Sequence, residues 1–298
     1  PINSCIKLSS SEIETVMVEI GELSFEVDCC GEGGKLALCL HGFPENNFSW
    51  RKQLPVLANI GYKVWAPNLR GYGNSYKPAK VSDYSIEKLL NDIVGLIDAS
   101  GSDEVTIIAH DWGGILAWIF ASRELKPLKS LVIMNCPHPV AFKRGLNLRQ
   151  LLMSWYMYFF QIPFLPEWYL GRNGAMPIRR MLEKTSVNSD MFPLEVTEVY
   201  RKHAAQNGAL TAMINYYRAL FRYPPNMANT DSGREKITVP TLLIWGEQDL
   251  ALSKGLAVKT SELVVDLRTK FIPNGSHWIQ QDCPEEVNKL MSEFLSIN

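Results

Sequence analysis

The strongest constraint on how this 298-residue chain folds is a rhythm of short, uninterrupted apolar runs separated by helical patterns. The runs are Lys35–Leu40 (KLALCL), Tyr62–Ala66, Val105–Ala109, Leu131–Met134 and Thr241–Trp245, with Arg268–Ile272 as a further strand. A strand without polar alternation keeps neither face in water, so these runs belong to a mainly parallel sheet covered on both sides. Helical patterns at Trp50–Asn59, Ile86–Ser100, Ile115–Arg123 and Pro284–Ser296 supply the cover, with Ser85 as the N-cap of the second and a proline opening the last. Residues 15–28 instead alternate about Gly21-Glu22, which predicts an N-terminal hairpin. The class is α/β.

Between His138 and Asp231 the rhythm breaks, and repeated aromatic helical patterns replace the strands. Eight aromatic residues fall within residues 151–170 alone: Trp155, Tyr156, Tyr158, Phe159, Phe160, Phe164, Trp168 and Tyr169. Gln161, Pro163, Pro166 and Glu167 interrupt this apolar window, which rules against a membrane span. A helical insertion is the expectation. It divides the chain into a core of residues 1–137 and 232–298 and an inserted unit of residues 138–231.

Ligands of open α/β sheets bind beyond the carboxyl ends of the strands, so the residues that follow each run are candidates for chemistry. After Val105–Ala109 comes His110-Asp111-Trp112-Gly113-Gly114 and then a helix. That is the strand–turn–helix pattern of a nucleophile elbow, with Asp where Ser is commoner. Thr241–Trp245 leads into Gly246-Glu247-Gln248-Asp249, and the last strand into Asn274-Gly275-Ser276-His277-Trp278. Nucleophile, acid and base thus follow one another in chain order as Asp111, Asp249 and His277. Plain structural uses compete for each: Asp111 as a helix N-cap, Asp249 as a turn residue, His277 as a loop histidine. Glu247 is a second candidate acid, whereas Asn135, after Leu131–Met134, has no charge to offer. Of the other histidines, His41 and His110 are expected to support loop geometry, His138 to shape the start of the insertion and His203 to lie on its surface.

Composition closes off other classes. Thirty Lys and Arg against 31 Asp and Glu leave a net charge of -1, too little to neutralise a nucleic-acid backbone. The six cysteines, Cys5, Cys29, Cys30, Cys39, Cys136 and Cys283, form no C-x-x-C pair, against both a disulfide scaffold and zinc. Pro1–Ile13 lacks the apolar run of a secretory signal, so a cytoplasmic location without obligate membrane contact is expected. A leader removed before Pro1 stays open, because the chain does not begin with Met.

Taken together, HGFPE (His41–Glu45), RGYGNS (Arg70–Ser75), HDWGG (His110–Gly114) and GSHW (Gly275–Trp278) resemble the α/β-hydrolase-fold epoxide hydrolases. The likeness spans nearly the whole chain, departing at Ala109, where the elbow often has Gly, and at Asn68, where Asp is frequent. It implies that the inserted helices form a cap and that two cap tyrosines hold the epoxide oxygen. Tyr156, in Ser154-Trp155-Tyr156 before Phe159-Phe160-Gln161, and Tyr217, in Asn215-Tyr216-Tyr217-Arg218, occupy the matching positions. A one-residue shift would substitute Tyr216 for Tyr217, and Tyr156 shares a helical face with Phe159, Phe160 and Pro163 that could simply be core.

The resemblance further implies a reaction. Asp111 attacks a small apolar epoxide, the phenols assist the departing oxygen, and His277 supported by Asp249 activates the water that frees a vicinal diol. Backbone N–H groups of Phe43 and Trp112 are the candidate oxyanion hole. Phe43, Trp112, Trp155, Phe159 and Trp278 are expected to contact substrate, no cofactor or metal is called for, and a detoxifying role follows. A haloalkane dehalogenase shares the Asp nucleophile, but dehalogenases commonly carry a halide-holding Asn after His-Gly, where this chain has Phe43. A non-catalytic receptor on the same scaffold would need only the pocket.

Overall fold

A computed structural model of the chain describes residues 12–225 and 236–297. Its centre is one sheet of strands β1 (Glu14–Ile20), β2 (Leu23–Cys30), β3 (Lys35–Leu40), β4 (Lys63–Pro67), β5 (Glu104–His110), β6 (Ser130–Met134), β7 (Thr241–Gly246) and β8 (Leu267–Ile272), in the order β1-β2-β4-β3-β5-β6-β7-β8. β1 and β2 form the expected hairpin, β2 runs antiparallel to β4, and every other pairing is parallel. The apolar runs are continuous because both faces of the inner strands are covered. Leu36, Leu38 and Leu40 of β3 pack towards α2 (Ile86–Ser100) and α3 (Trp112–Ser122), while Ala37 and Cys39 pack towards α1 (Leu54–Asn59) and the C-terminal helix Pro284–Leu295.

Helix ends depart from expectation: α3 already starts at Trp112 rather than Ile115, and two other helices differ as well. The pattern at Trp50–Asn59 is a tight 3₁₀ turn, Asn47–Trp50, followed by α1, which starts only where Pro55 fits the first turn. Ser85 does sit at the N-cap of α2, with its carbonyl accepting from the N–H groups of Lys88 and Leu89. Its hydroxyl, however, makes no capping hydrogen bond.

Between β6 and β7 the described residues form the helices α4 (Pro139–Gly145), α5 (Leu148–Met153), α6 (Trp155–Phe159), α7 (Leu165–Thr185), α8 (Leu194–Ala204) and α9 (Ala209–Arg222), with a lone β-bridge from Ile237 to Val264. The expected junction at residues 231 and 232 and the polar stretch before Glu12 lie outside the described residues. α7 is broken at Arg172–Ala175. Pro177 explains the break, since its ring would collide with the carbonyl of Asn173, four residues back, and it has no N–H to give. The guanidinium of Arg201 takes up the carbonyl freed at Gly174, at 2.6 Å. The chain closes with α10 (Lys254–Thr260), α11 (Ile279–Asp282) and α12 (Pro284–Leu295), the last opening on a proline as expected. Phe160, Tyr200 and Tyr217 of the inserted helices join the same apolar cluster as β3 and β5, so these helices sit directly on the strand ends.

Candidate active site

Three strand ends converge on one point. Asp111 follows β5 with φ 50° and ψ −118°, a backbone conformation that costs an L-residue about 1–3 kcal/mol and persists only where the surroundings impose it. They impose it through close approach: a Cβ on Gly113 would lie 2.2 Å from the Leu40 carbonyl, and one on Gly42 would lie 2.3 Å from the Asp111 side chain. The Asp111 side chain does not cap α3. Its Oδ1 instead accepts from the Phe43 N–H at 2.8 Å, and its Oδ2 lies 3.5 Å from His277 Nε2. The other ring nitrogen of His277, Nδ1, is 2.7 Å from Asp249 Oδ2.

Asp249 is itself held on every side. Its Oδ1 accepts from the N–H groups of Ala251 and Leu252 at 2.7 and 2.9 Å, and its Oδ2 accepts from Asn135 Nδ2 at 2.7 Å. Asn135, which carries no charge of its own, therefore holds the Asp249 carboxylate in place. Glu247 points elsewhere, 2.7 Å from Lys254.

The electrostatics follow from this packing. Burial would strip the proton from His277, but the Asp249 and Asp111 carboxylates outweigh it and hold the imidazole well above its usual range. Burial would likewise raise Asp111. Hydrogen bonding and charge from His277, with help from His110 and the Phe43 N–H, bring it below the ordinary carboxylate value instead. Behind His277 lies a second buried layer. His110 places Nε2 2.8 Å from the His277 carbonyl and Nδ1 2.7 Å from Glu45, whose carboxylate also accepts from Gln280 and Gln281. His41 accepts from the Leu69 N–H, and burial drives it down to about 4, so it is neutral as well as structural. His138 caps α4 by accepting from the Val140 N–H, and His203 is half-buried on α8.

Two cavities, of about 280 and 210 Å³, meet at Asp111, and Tyr156 and Tyr217 stand on the wall of both. The two rings pack edge to face at 5.9 Å, and Tyr217 is wedged against Trp112 and Phe43. Burial pushes both phenols well above 10, with the Asp111 charge adding to the shift, so they stay protonated at neutral pH. Tyr216 faces the other way and donates its hydroxyl to the Arg70 carbonyl at 2.7 Å. Of the two neighbouring tyrosines, Tyr217 is the one that borders the cavities. Arg218 pins that helix in place by donating to the carbonyls of Phe160 and Ile162 and pairing with Glu167.

Of the residues expected to contact substrate, Phe43, Trp155 and Trp278 line the larger cavity and Trp112 the smaller. Phe159 lines neither. It packs instead among Trp155, Phe160 and Tyr169, half-buried against the core. Met153, Met181, Thr185 and Leu250 in the larger cavity, and Cys136, Phe142, Met157 and Leu252 in the smaller, have no motif that would single them out. Among the described residues no cluster of His, Cys, Asp and Glu is arranged to hold a metal ion.

Comparison with known proteins agrees with the geometry. Residues 37–282 match the model of the alpha/beta hydrolase fold family. Epoxide hydrolase 3 of Xenopus tropicalis is 41% identical over 268 residues, covering 87% of this chain and 71% of that protein. Human epoxide hydrolase 4 is 36% identical over 288 residues, covering 94% and 78%. The crystal structure of Bacillus megaterium epoxide hydrolase in complex with an inhibitor superposes with a TM-score of 0.84 at 28% identity, over 94% of this chain and all of that one. A strained aspartate at the elbow, a buried Asp249–His277 pair and matches of this extent lead to one conclusion: the chain belongs to the epoxide hydrolases of the α/β-hydrolase fold.

Proposed function

We propose that this chain hydrolyses a small, apolar epoxide to a vicinal diol through a covalent ester on Asp111. The observation that carries the reading is the shared wall: a carboxylate with a depressed pKa and two phenols that keep their protons border the same cavity. An epoxide needs that combination, because its ring carbon is electrophilic while its leaving group is an alkoxide. Asp111 attacks the carbon, and Tyr156 and Tyr217 donate to the oxygen as negative charge develops on it. Water activated by His277 then adds to the ester carbonyl, with Asp249 supporting the charged imidazole. The N–H groups of Phe43 and Trp112 receive the resulting oxyanion, and the Phe43 N–H lies 2.8 Å from Asp111 Oδ1.

Forming the ester removes the Asp111 charge, one of the two that keep a proton on His277. The histidine therefore becomes a better-matched base at the stage when a base is needed. In this reading the helices of residues 138–231 act as a cap over a core of residues 1–137 and 232–298, with Trp155, Trp278 and Phe43 against the substrate. The phenols favour an alkoxide over the halide of a dehalogenase, and the complete Asp111–His277–Asp249 set speaks against a receptor without turnover. A detoxifying role in the cytoplasm goes with this reading.

Single turnover in ¹⁸O-labelled water tests the ester. The first diol should carry unlabelled oxygen from Asp111 and leave the label in its carboxylate. Label in the first diol would mean direct attack by water and would overturn the mechanism.

A further inference from the structure

The helices over the cavity present an apolar face to solvent. Phe164 is 85% exposed and Leu148 75%, with Leu152, Trp155, Tyr158 and Trp168 each more than half exposed. Two groups of side chains on these helices are joined by contacts. Tyr158 stacks on Phe221 at 5.8 Å, with Leu146 and Leu151 in the same groove, while Trp155 connects through Phe159 to Tyr169. An exposed apolar patch of this extent on a folded chain marks a contact surface.

Its charge says what kind. From His138 to Asn173 the only acidic residue is Glu167, which is paired with Arg218. The exposed charges there are Lys143, Arg144, Arg149 and Arg172, with Arg222 beside Phe221, and the Arg172 guanidinium lies 4.5 Å from the Tyr169 ring. Tryptophan, tyrosine and leucine flanked by cations, with the one carboxylate of the stretch already paired, match an anionic lipid surface, where indole and phenol rings settle at the headgroup level. A second copy of the chain docking face to face would oppose these cations to one another. The larger cavity reaches solvent here too, since Trp155 and Leu250 on its wall are 61% and 64% exposed.

We infer that this face docks reversibly on the surface of an anionic bilayer, lying in the interface without crossing it, so that the cavity mouth opens onto the lipid. The identity of the cargo, an apolar epoxide partitioned into that lipid, rests on the function proposed above; the docking does not. Among the described residues no helix is long and apolar enough to cross a membrane, as interfacial docking requires.

Flotation of the protein with phosphatidylcholine vesicles, with and without about 30 mol% phosphatidylserine, tests this in the absence of substrate. Binding should be about tenfold greater on the anionic vesicles and should fall as salt is raised. The triple variant Leu148→Ser, Phe164→Ser, Trp168→Ser should lose about tenfold in bound fraction, while keeping the parent's thermal midpoint and its turnover of a water-soluble epoxide. Lys143→Glu with Arg149→Glu should abolish only the preference for anionic lipid. No flotation, flotation indifferent to the triple variant, or a dimer that the triple variant dissociates would each overturn the proposal. Loss of hydrolysis with flotation intact would count against the proposed function instead.

Discussion

His277 stands between two carboxylates, and its behaviour depends on both. Its proton is held by Asp249 and Asp111 against the pull of burial, so Asp111→Asn, which removes one negative charge, should lower the pH at which the imidazole titrates. The His277 ring signals followed by NMR across pH read this directly, and an unchanged or raised titration would show that Asp111 does not act on the ring. His277→Gln should leave attack by Asp111 possible but slow hydrolysis by about 10²–10⁴. Intact mass should then gain the mass of one substrate. Tyr217→Phe should cost about 10² in the rate of ring opening, the range for losing one oxyanion donor, measured by rapid quench. Tyr216→Phe should leave that rate alone and cost about 1–3 kcal/mol of stability, because it leaves the buried Arg70 carbonyl without its partner. At this scale the sequence is readable where chemistry follows a strand: Asp111, Asp249 and His277 each lie in the short turn or loop that follows an apolar run. It is unreadable where partners are remote in sequence. Nothing in Asn135 announces a bond to Asp249 across 114 positions, and nothing in Glu45 announces His110 across 65.

Strands and helices are more legible than their ends. Every expected strand is present, the inner ones because burial on both faces leaves no choice of pattern, whereas the start of α1 is set by Pro55 and the cap of α2 by backbone rather than by the Ser85 hydroxyl. Tertiary contacts set the facing of α6 and α9, which is why Phe159 misses the cavity and why Tyr216 and Tyr217 could not be told apart by periodicity. Arg218 makes the second of those facings firm. Arg218→Met would strand two carbonyls and the Glu167 carboxylate, at a cost of about 3–5 kcal/mol. A matching fall in the urea midpoint should accompany weaker turnover, since Tyr217 is the neighbour that Arg218 anchors. A midpoint within error of the parent would remove Arg218 from that role.

The chain as a whole carries almost no net charge, and its proposed substrate carries none. No long-range field guides encounter, so kcat/KM on a water-soluble epoxide should change less than about twofold between about 0.02 and 0.5 M salt. A steep salt dependence would point to a charged substrate. The α/β class and the insertion are legible at this scale, because both are properties of long stretches; the space enclosed between them is not, because it is a difference between surfaces. That space has two unequal chambers sharing one carboxylate. An epoxide with unlike arms must send one arm into each, and the fit of the longer arm decides which ring carbon faces Asp111. Both choices yield a diol of the same constitution, so the inequality of the chambers is recorded only in its absolute configuration and in which carbon carries the oxygen that came from the enzyme.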